Sequence, residues 1–293
     1  LQFAPDETIQ GVLAIPNYEV AKYLVLATRS GKVKKTRLSE YDSPRQGGLI
    51  AVRLMTDENG ETADELIGAN LCNAEDDIIL VSKHGMSLKF RADDDQLRPM
   101  GRQTAGVQGM KFRDGDELLA MDVVWGDSDK DLFVVTNEGF AKRTALSEYR
   151  LQGRNGFGVK AVQLVEGRGF LVGALVVSEE DQVMAIMTSG KVIRANVNEV
   201  KRTGRTTQGV TFAKPEKNDE IISIARNAEA EDEADGETTT TESSGSASSI
   251  QPAQGEPVFE VSTEEPSGMP LVTENSEAIE RTEESGGEAS DEA

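Results

Sequence analysis

The chain contains 293 residues, and its 52 acidic and 31 basic side chains give a formal net charge of −21. Its single cysteine, Cys72, excludes an intrachain disulfide framework, and its single histidine, His84, excludes a metal site built on a histidine pair. The longest uncharged apolar run, Gly169–Ser178, is far shorter than the about 20 residues that a membrane-spanning helix needs. Because the chain begins with Leu1 rather than methionine, we expect a fragment or processed piece of a larger protein.

The negative charge is concentrated at one end of the chain. Residues 229–293 hold 19 acidic residues and one base, whereas residues 1–227 hold 33 acidic and 30 basic residues. The acidic segment is rich in Glu, Ser, Thr and Gly, and it has too little apolar surface to offset the entropy of ordering. We therefore predict a near-neutral domain over residues 1–227 and a disordered acidic tail over residues 228–293.

Residues 1–227 contain an internal repeat. Four short turns end in Gly31, Gly85, Gly139 and Gly190, with spacings of 54, 54 and 51 residues, and a second glycine followed by an apolar residue comes 17 to 21 residues after each. An acidic pair before aliphatic residues tends to open each unit. The repeat predicts four units of about 50 residues, at about 9–55, 66–112, 118–164 and 170–213, followed by the start of a fifth.

Each unit has the pattern of short strands. In the third unit, four aliphatic or alternating runs are separated by Gly, Asn and Asp: Leu118–Val124, Leu132–Thr136, Phe140–Ala145 and Gly158–Leu164. A turn glycine supplies a positive φ, so each recurrent glycine indicates a hairpin. Four strands in each unit predict an all-β fold, a propeller-like or pinwheel array of four-stranded blades. A single irregular β-sandwich is the alternative.

Basic residues recur at fixed places in the units. The fourth residue after each turn glycine is Lys35, Lys89, Arg143 or Arg194. If the units are arranged radially, these positions fall on one rim and form an arc of positive charge suited to duplex phosphates. The alternative is that they are solvated strand residues that protect the sheet edges from aggregation. The candidate DNA-binding residues are Lys32, Lys34, Lys35, Arg37, Arg45, Lys89, Arg91, Arg102, Lys142, Arg143, Arg154, Lys191, Arg194 and Arg205.

Several long segments resemble the C-terminal domain of the bacterial DNA gyrase A protein, in the same order and spacing: Tyr23–Thr36, Leu97–Gly109, Gly139–Tyr149 and Gly204–Val210. The resemblance extends over about Asp6 to Asn227. It implies a six-bladed β-pinwheel whose basic rim wraps duplex DNA and directs ATP-dependent negative supercoiling by a type IIA topoisomerase. Because four full units are visible, about two further blades are expected upstream.

The hallmark heptapeptide of that family, Gln-Arg-Arg-Gly-Gly-Lys-Gly, has a counterpart here that is either a degenerate copy or a second, accessory box, and the full heptapeptide is expected in an upstream blade. The counterpart, which we call the box, consists of Gln152, Gly153, Arg154, Asn155, Gly156, Phe157 and Gly158. It lacks two of the family's bases, at Gly153 and Phe157. Its glycines suit a tight loop that brings backbone N–H groups to phosphate, with Arg154 as the charged contact. A plain glycine-rich connection between blades is the alternative.

The resemblance also implies what this chain lacks and what it binds. We expect no catalysis and no cofactor in this piece, because ATP and Mg²⁺ act elsewhere in the parent enzyme. The implied partners are double-stranded DNA and, through the missing N-terminal part, the gyrase B protein and a second gyrase A protein, in a heterotetramer of two A and two B proteins. We expect a cytoplasmic, nucleoid-associated protein without membrane contact.

Two other functions remain open on the sequence alone. The first is the equivalent domain of topoisomerase IV, and the second is a propeller scaffold that binds proteins and whose basic register is incidental. The acidic tail adds a hypothesis of its own, since a tethered segment with a net charge of −18 would compete with phosphate for basic residues. A solubilising tail is the alternative.

Overall fold

The computed structural model describes residues 8–43, 48–60, 62–113, 115–126 and 129–227. The predicted disordered tail, residues 228–293, lies outside this part of the chain. The described residues form fifteen strands and three short 3₁₀ turns, and the all-β prediction is confirmed. The strands are β1 Tyr23–Thr28, β2 Lys32–Arg37, β3 Leu66–Cys72, β4 Asp77–Ser82, β5 Met86–Arg91, β6 Val107–Gln108, β7 Leu118–Val124, β8 Asp131–Thr136, β9 Phe140–Ala145, β10 Val159–Lys160, β11 Leu171–Val177, β12 Gln182–Met187, β13 Val192–Asn196, β14 Val210–Thr211 and β15 Ile221–Arg226. The 3₁₀ turns are Leu38–Tyr41, Leu146–Glu148 and Val197–Glu199.

The four predicted hairpins are present. They are β1–β2, β4–β5, β8–β9 and β12–β13, and all four pair antiparallel. Their turn glycines, Gly31, Gly85, Gly139 and Gly190, have φ between 80° and 82°. Residues with a Cβ rarely adopt this left-handed region, so the recurrent glycine is what permits the tight turn.

The sheets are assembled across the boundaries of the repeat units. The described residues form three four-stranded sheets, β3-β1-β2-β6, β10-β5-β4-β7 and β11-β8-β9-β14, and one three-stranded sheet, β13-β12-β15. Each four-stranded sheet consists of one hairpin and two strands of the following unit. In the first sheet, for example, Cys72 of β3 lies opposite Tyr23 and Val107 of β6 lies opposite Val33. The sheets are therefore out of phase with the predicted units, although the propeller-like array of blades is confirmed.

The hydrophobic core lies between neighbouring blades. The first strand of each of the first three hairpins is buried on both faces, as in β8, where every residue is buried, whereas β12 of the fourth hairpin is buried on one face only. Three clusters of buried side chains occupy the successive spaces between sheets, represented by Phe90, Val134 and Phe133. In the third cluster, the rings of Phe133 and Phe212 pack edge to face, with their centroids 5.4 Å apart. Each unit thus depends on its neighbour for burial.

No helix in the described ranges is long and apolar enough to cross a membrane.

Candidate nucleic-acid interface

The recurrent base at the fourth position after the turn glycine points into the protein in three of the four units. The Lys35 ammonium donates hydrogen bonds to the carbonyl oxygen of Ala92, at 2.5 Å, and to Asp94, at 3.0 Å. In the second unit, Lys89 Nζ donates to the carbonyl oxygen of Leu146 at 3.1 Å. Each base therefore tethers its strand to the loop of the next unit, with an acceptor carbonyl 57 residues further along the chain.

Arg143 is the corresponding tether in the third unit. Its Nε donates to the carbonyl oxygen of Val200 at 2.9 Å, again 57 residues away, and its guanidinium lies 3.4 Å from the buried carboxylate of Asp131. It also pairs with Glu179 at 3.2 Å. Burial raises the pKa of Asp131, although the nearby guanidinium groups of Arg202 and Arg143 oppose this rise. Arg143 therefore neutralises a buried carboxylate and is not available to a ligand.

The prediction that the bases at the fourth position after each turn glycine form an exposed arc of positive charge is wrong. Lys34, Lys35, Lys142 and Arg143 are buried, Lys89 is half-buried, and only Arg194 of the fourth unit is exposed. The reason is the exchange of strands between units. In the first three hairpins, the loop of the next unit covers the outer strand, so the bases at this register turn toward carbonyl groups of that loop.

Lys34 and Lys142 act as clamps in alternate units. The Lys34 ammonium donates to the carbonyl oxygens of Ala51 and Arg102, and Lys142 Nζ makes the corresponding bonds to Ala161 and Arg205. Burial lowers the pKa of both amines to about 8, since removal from water disfavours the charged form. The other two units have the apolar residues Leu88 and Ile193 at this position.

The arginines before the second glycine signal also bond to backbone. Arg154 Nε donates to the carbonyl oxygen of Gln96 at 2.5 Å, and its Nη1 donates to that of Gln108 at 3.1 Å. Arg102 and Arg205 donate in the same way to carbonyls 52 and 45 residues earlier in the chain. All three side chains are half-buried.

The box is engaged with neighbouring backbone rather than open. The N–H of Gln152 donates to Lys89 O at 2.8 Å, and that of Asn155 donates to Gly109 O at 2.6 Å. Gly158 has φ +72°, and a Cβ added to it would lie 2.2 Å from the carbonyl oxygen of Ser87. These contacts favour the alternative stated for the sequence, a glycine-rich connection that docks on β5.

The remaining predicted residues are spread over different environments. Arg91 is half-buried and pairs with Asp77 at 3.0 Å, and the exposed Lys191 pairs with Glu216 at 3.2 Å. Arg37 is exposed and Lys32 is half-buried. Arg45 lies outside the described residues.

Three exposed bases that the sequence interpretation missed occupy equivalent places on successive units. Arg98, Arg150 and Lys201 each immediately precede a residue that bridges the outer strand of the preceding unit. Their side chains are exposed, and no described residue pairs with them. We call these three residues the outer row. A detectable signal was present in the sequence, because each of them begins the pattern base-x-x-Gly-Arg, with spacings of 52 and 51 residues.

Comparison with known proteins identifies the family. The family model described as "DNA gyrase C-terminal domain, beta-propeller" matches residues 22–73, 76–124, 130–178 and 181–227, which together make up more than half of the chain. The chain belongs to this family. The boundaries of the four matched ranges follow the sheets rather than the predicted repeat units. Each range begins at a hairpin and includes the opening strand of the next unit.

Relatives of this gyrase C-terminal domain are much longer than the chain itself. The DNA gyrase A protein of Streptomyces coelicolor is 52% identical over 259 residues, which cover 87% of this chain and 30% of the relative. The DNA gyrase A protein of Mycolicibacterium smegmatis is 49% identical over 234 residues, covering 80% of this chain and 27% of the relative. The chain thus spans less than a third of the curated relatives that it matches.

Two solved structures share the fold. The C-terminal domain of DNA gyrase A superposes with a TM-score of 0.61 at 25% identity, covering 70% of this chain and 65% of that one. The C-terminal domain of DNA topoisomerase IV superposes with a TM-score of 0.68 at 24% identity, covering 76% and 67%. The topoisomerase IV match bears on the fold alone, whereas the relatives at about half identity are gyrase A proteins.

Proposed function

We propose that this gyrase C-terminal domain binds and wraps duplex DNA, with the outer row as its principal phosphate contact. The observation that supports this is the recurrence of an exposed base, without a partner among the described residues, at the same structural position in three successive units: Arg98, Arg150 and Lys201. Equivalent positions on repeated blades present charge at regular intervals, which suits the regular backbone of a duplex. The buried tethers fix the loops that carry these bases.

The outer row can bind without reading the DNA sequence. Lysine and arginine side chains that neutralise phosphates release condensed counterions, and binding of this kind weakens steeply with salt. Smooth bending of 20–30 base pairs costs on the order of 1–6 kcal/mol, so contacts on several blades are needed to offset it. The three bases of the outer row lie on loops that the buried tethers already hold in place. Binding DNA through them therefore costs little additional conformational entropy of the loops.

In the parent enzyme, the domain would direct ATP-dependent negative supercoiling by a type IIA topoisomerase. The relatives at about half identity are gyrase A proteins, which supports this assignment. The same proposal includes assembly with the gyrase B protein and a second gyrase A protein through the rest of the parent chain, and a cytoplasmic, nucleoid-associated location. ATP and Mg²⁺ would act in those other parts, and this chain would not catalyse a reaction alone.

The test is a comparison of two triple variants. Arg98→Gln, Arg150→Gln and Lys201→Gln remove the outer row, whereas Arg53→Gln, Lys214→Gln and Lys217→Gln remove three other exposed bases. We expect the slope of log affinity against log salt to fall by about 0.9 for each lost phosphate contact, or about 2.7 for the outer-row variant. Equal losses in both variants would refute the outer row as the principal contact. Absence of salt-dependent binding in the unmodified chain would favour the protein-binding scaffold instead.

A further inference from the structure

One loop of the outer row presents large apolar side chains on its surface. In the third unit, Leu151 is 49% exposed and Phe157 is 47% exposed. Leu151 directly follows Arg150 of the outer row, and Phe157 is the sixth residue of the box. The corresponding two positions hold proline and alanine in the second unit, and arginine and glutamine in the fourth. Among the three units with an outer-row base, only the third therefore adds an exposed aromatic ring to that base.

The backbone on both sides of Phe157 is held in place. The carbonyl oxygen of Gly156 accepts a hydrogen bond from the N–H of Lys111, in the preceding unit, at 2.8 Å. On the other side, Gly158 packs against the backbone of Ser87. The loop therefore needs little further ordering when the ring meets a ligand, which lowers the entropic cost of binding through it.

Basic side chains flank this ring across the junction between the second and third units. The guanidinium carbon of Arg113 lies 5.9 Å from the centroid of the Phe157 ring, and Lys111, two residues earlier, is exposed. Among the described residues, no carboxylate pairs with either base. The equivalent positions at the next junction hold glutamine and valine. The ring and two bases thus coincide at a junction whose two units both lie within the chain.

An exposed ring between cations has the chemistry of a wedge in duplex DNA. Proteins that bend DNA insert apolar side chains between two base pairs from the minor groove, which partly unstacks the step and kinks the duplex. Basic side chains beside the wedge neutralise the flanking phosphates. The backbone N–H groups of Gln152 and Asn155 in the box are already bonded to neighbouring carbonyls. What the box offers to DNA is therefore the side chain of Phe157.

We propose that Phe157 is a wedge that inserts into one base-pair step of the wrapped duplex, with Lys111 and Arg113 on the neighbouring phosphates. The inference rests on the proposed function, because it concerns DNA that the outer row already holds. Insertion costs least at pyrimidine–purine steps such as TA, which unstack easily. The domain therefore kinks its DNA at the box and prefers duplexes that offer a flexible step there, although it reads no base edge.

Permanganate oxidation of thymine tests the insertion directly, because the reagent attacks thymines whose step is unstacked. The probe is a short duplex with one central TA step between stretches of G·C pairs. With the unmodified chain, we expect the reactivity of the central thymines to rise about fivefold over that in the free duplex. Phe157→Gln, which introduces the residue type of the fourth unit, should abolish this rise, whereas the apolar Phe157→Leu should keep most of it. A rise that persists in Phe157→Gln, or no rise with the unmodified chain, would overturn the proposal.

Phe170→Gln is the matched control, since Phe170 is 43% exposed, lies 5.4 Å from the ammonium of Lys83 and is outside the box. It should leave the rise in reactivity unchanged, and an equal loss in both glutamine variants would contradict a specific role of Phe157.

The salt dependence of binding separates the wedge from the outer row. Phe157→Gln removes no charge and should keep the slope of log affinity against log salt, whereas the triple variant of the outer row lowers it. If the outer-row variant lowers the slope but the unmodified chain leaves the thymines unreactive, the wedge fails and the proposed function stands. If the unmodified chain shows no salt-dependent binding, both fail, and the exposed ring is then left to a protein contact.

Discussion

Two sets of basic residues recur in this domain, and they lie in different environments. Lys35, Lys89 and Arg143 are bound to carbonyl groups of the next unit, whereas Arg98, Arg150 and Lys201 are exposed and have no described partner. Both sets recur with the period of the repeat. Recurrence alone therefore does not indicate a ligand surface, since a base that holds two units together must recur as regularly as one that binds DNA.

The largest expected effect is on stability, when a tether is removed. Arg143→Ala should lower the free energy of unfolding by about 3 kcal/mol, because it removes the bond to the Val200 carbonyl and one of the two guanidinium partners of the buried Asp131, which keeps Arg202 at 2.9 Å. Arg150→Ala, seven residues away and exposed, should stay within about 0.5 kcal/mol of the unmodified chain. Urea denaturation of both variants measures the difference, and similar losses would remove the distinction between the two sets.

The box should behave as part of the tethered framework. Gly158→Ala combines strain at positive φ with a contact of 2.2 Å to backbone, so we expect a loss of roughly 3 kcal/mol. Gly167→Ala is the matched control, since its φ of +79° carries the same backbone strain and no described atom lies within 4 Å of the added Cβ. It should cost about 1 kcal/mol. Equal thermal denaturation midpoints for the two variants would show that the box does not dock closely on β5.

The clamps Lys34 and Lys142 should make the free energy of unfolding of the domain depend on pH in the alkaline range. In the unfolded chain the amines of Lys34 and Lys142 titrate at their ordinary pKa of 10.5, whereas in the folded domain the pKa is about 8. Between these values the unfolded state binds more protons, so the clamps make the free energy of unfolding rise as the pH rises from about 8 to 10.5.

Replacing both clamps by leucine, which the second unit has at this position, should remove that rise. Urea denaturation at pH 7.5 and pH 9.5 compares the Lys34→Leu, Lys142→Leu chain with a control carrying Lys201→Leu and Lys214→Leu, both exposed. The control should keep the slope of the unmodified chain. An unchanged slope in the clamp variant would mean that the two ammonium groups are not desolvated.

The smallest expected effect concerns the acidic tail. Truncation after Asn227 removes a net charge of −18 and should tighten duplex binding a few-fold at low salt, because the tail then no longer competes with phosphate for the outer row. The gain should disappear at high salt, where screening weakens such competition. If truncation leaves the affinity unchanged at low salt, the tail has a solubilising role only.

The local elements of this fold are largely readable from the sequence. The third unit is the clearest case: Leu118–Val124 and Phe140–Ala145 were predicted with the bounds that the structure shows, because turn glycines and alternation mark both ends. Its last strand was expected over Gly158–Leu164 but is limited to Val159–Lys160. The exchange of strands could not be predicted, since a repeat has the same period wherever its boundary is drawn.

The site was less predictable than the fold. Alternation along a strand assigns side chains to two faces, but it does not show that a neighbouring unit covers both of them, as happens at Lys34 and Lys35. The outer row lies in loops without strand periodicity, so the register of the hairpins does not include it. Equivalent loop positions, compared in the same way as the hairpins, would have revealed Arg98, Arg150 and Lys201.

Chemical footprinting of the native chain, with and without duplex DNA, tests most directly which bases contact the phosphates. Acetylation of lysines and phenylglyoxal modification of arginines are read by mass spectrometry. We expect Arg98, Arg150 and Lys201 to react in the free chain and to be protected by DNA, while Lys35, Lys142 and Arg143 stay unreactive in both. Strong reactivity of Lys35 and Arg143 in the free chain, lost on adding DNA, would contradict the assignment of the tethers and the outer row.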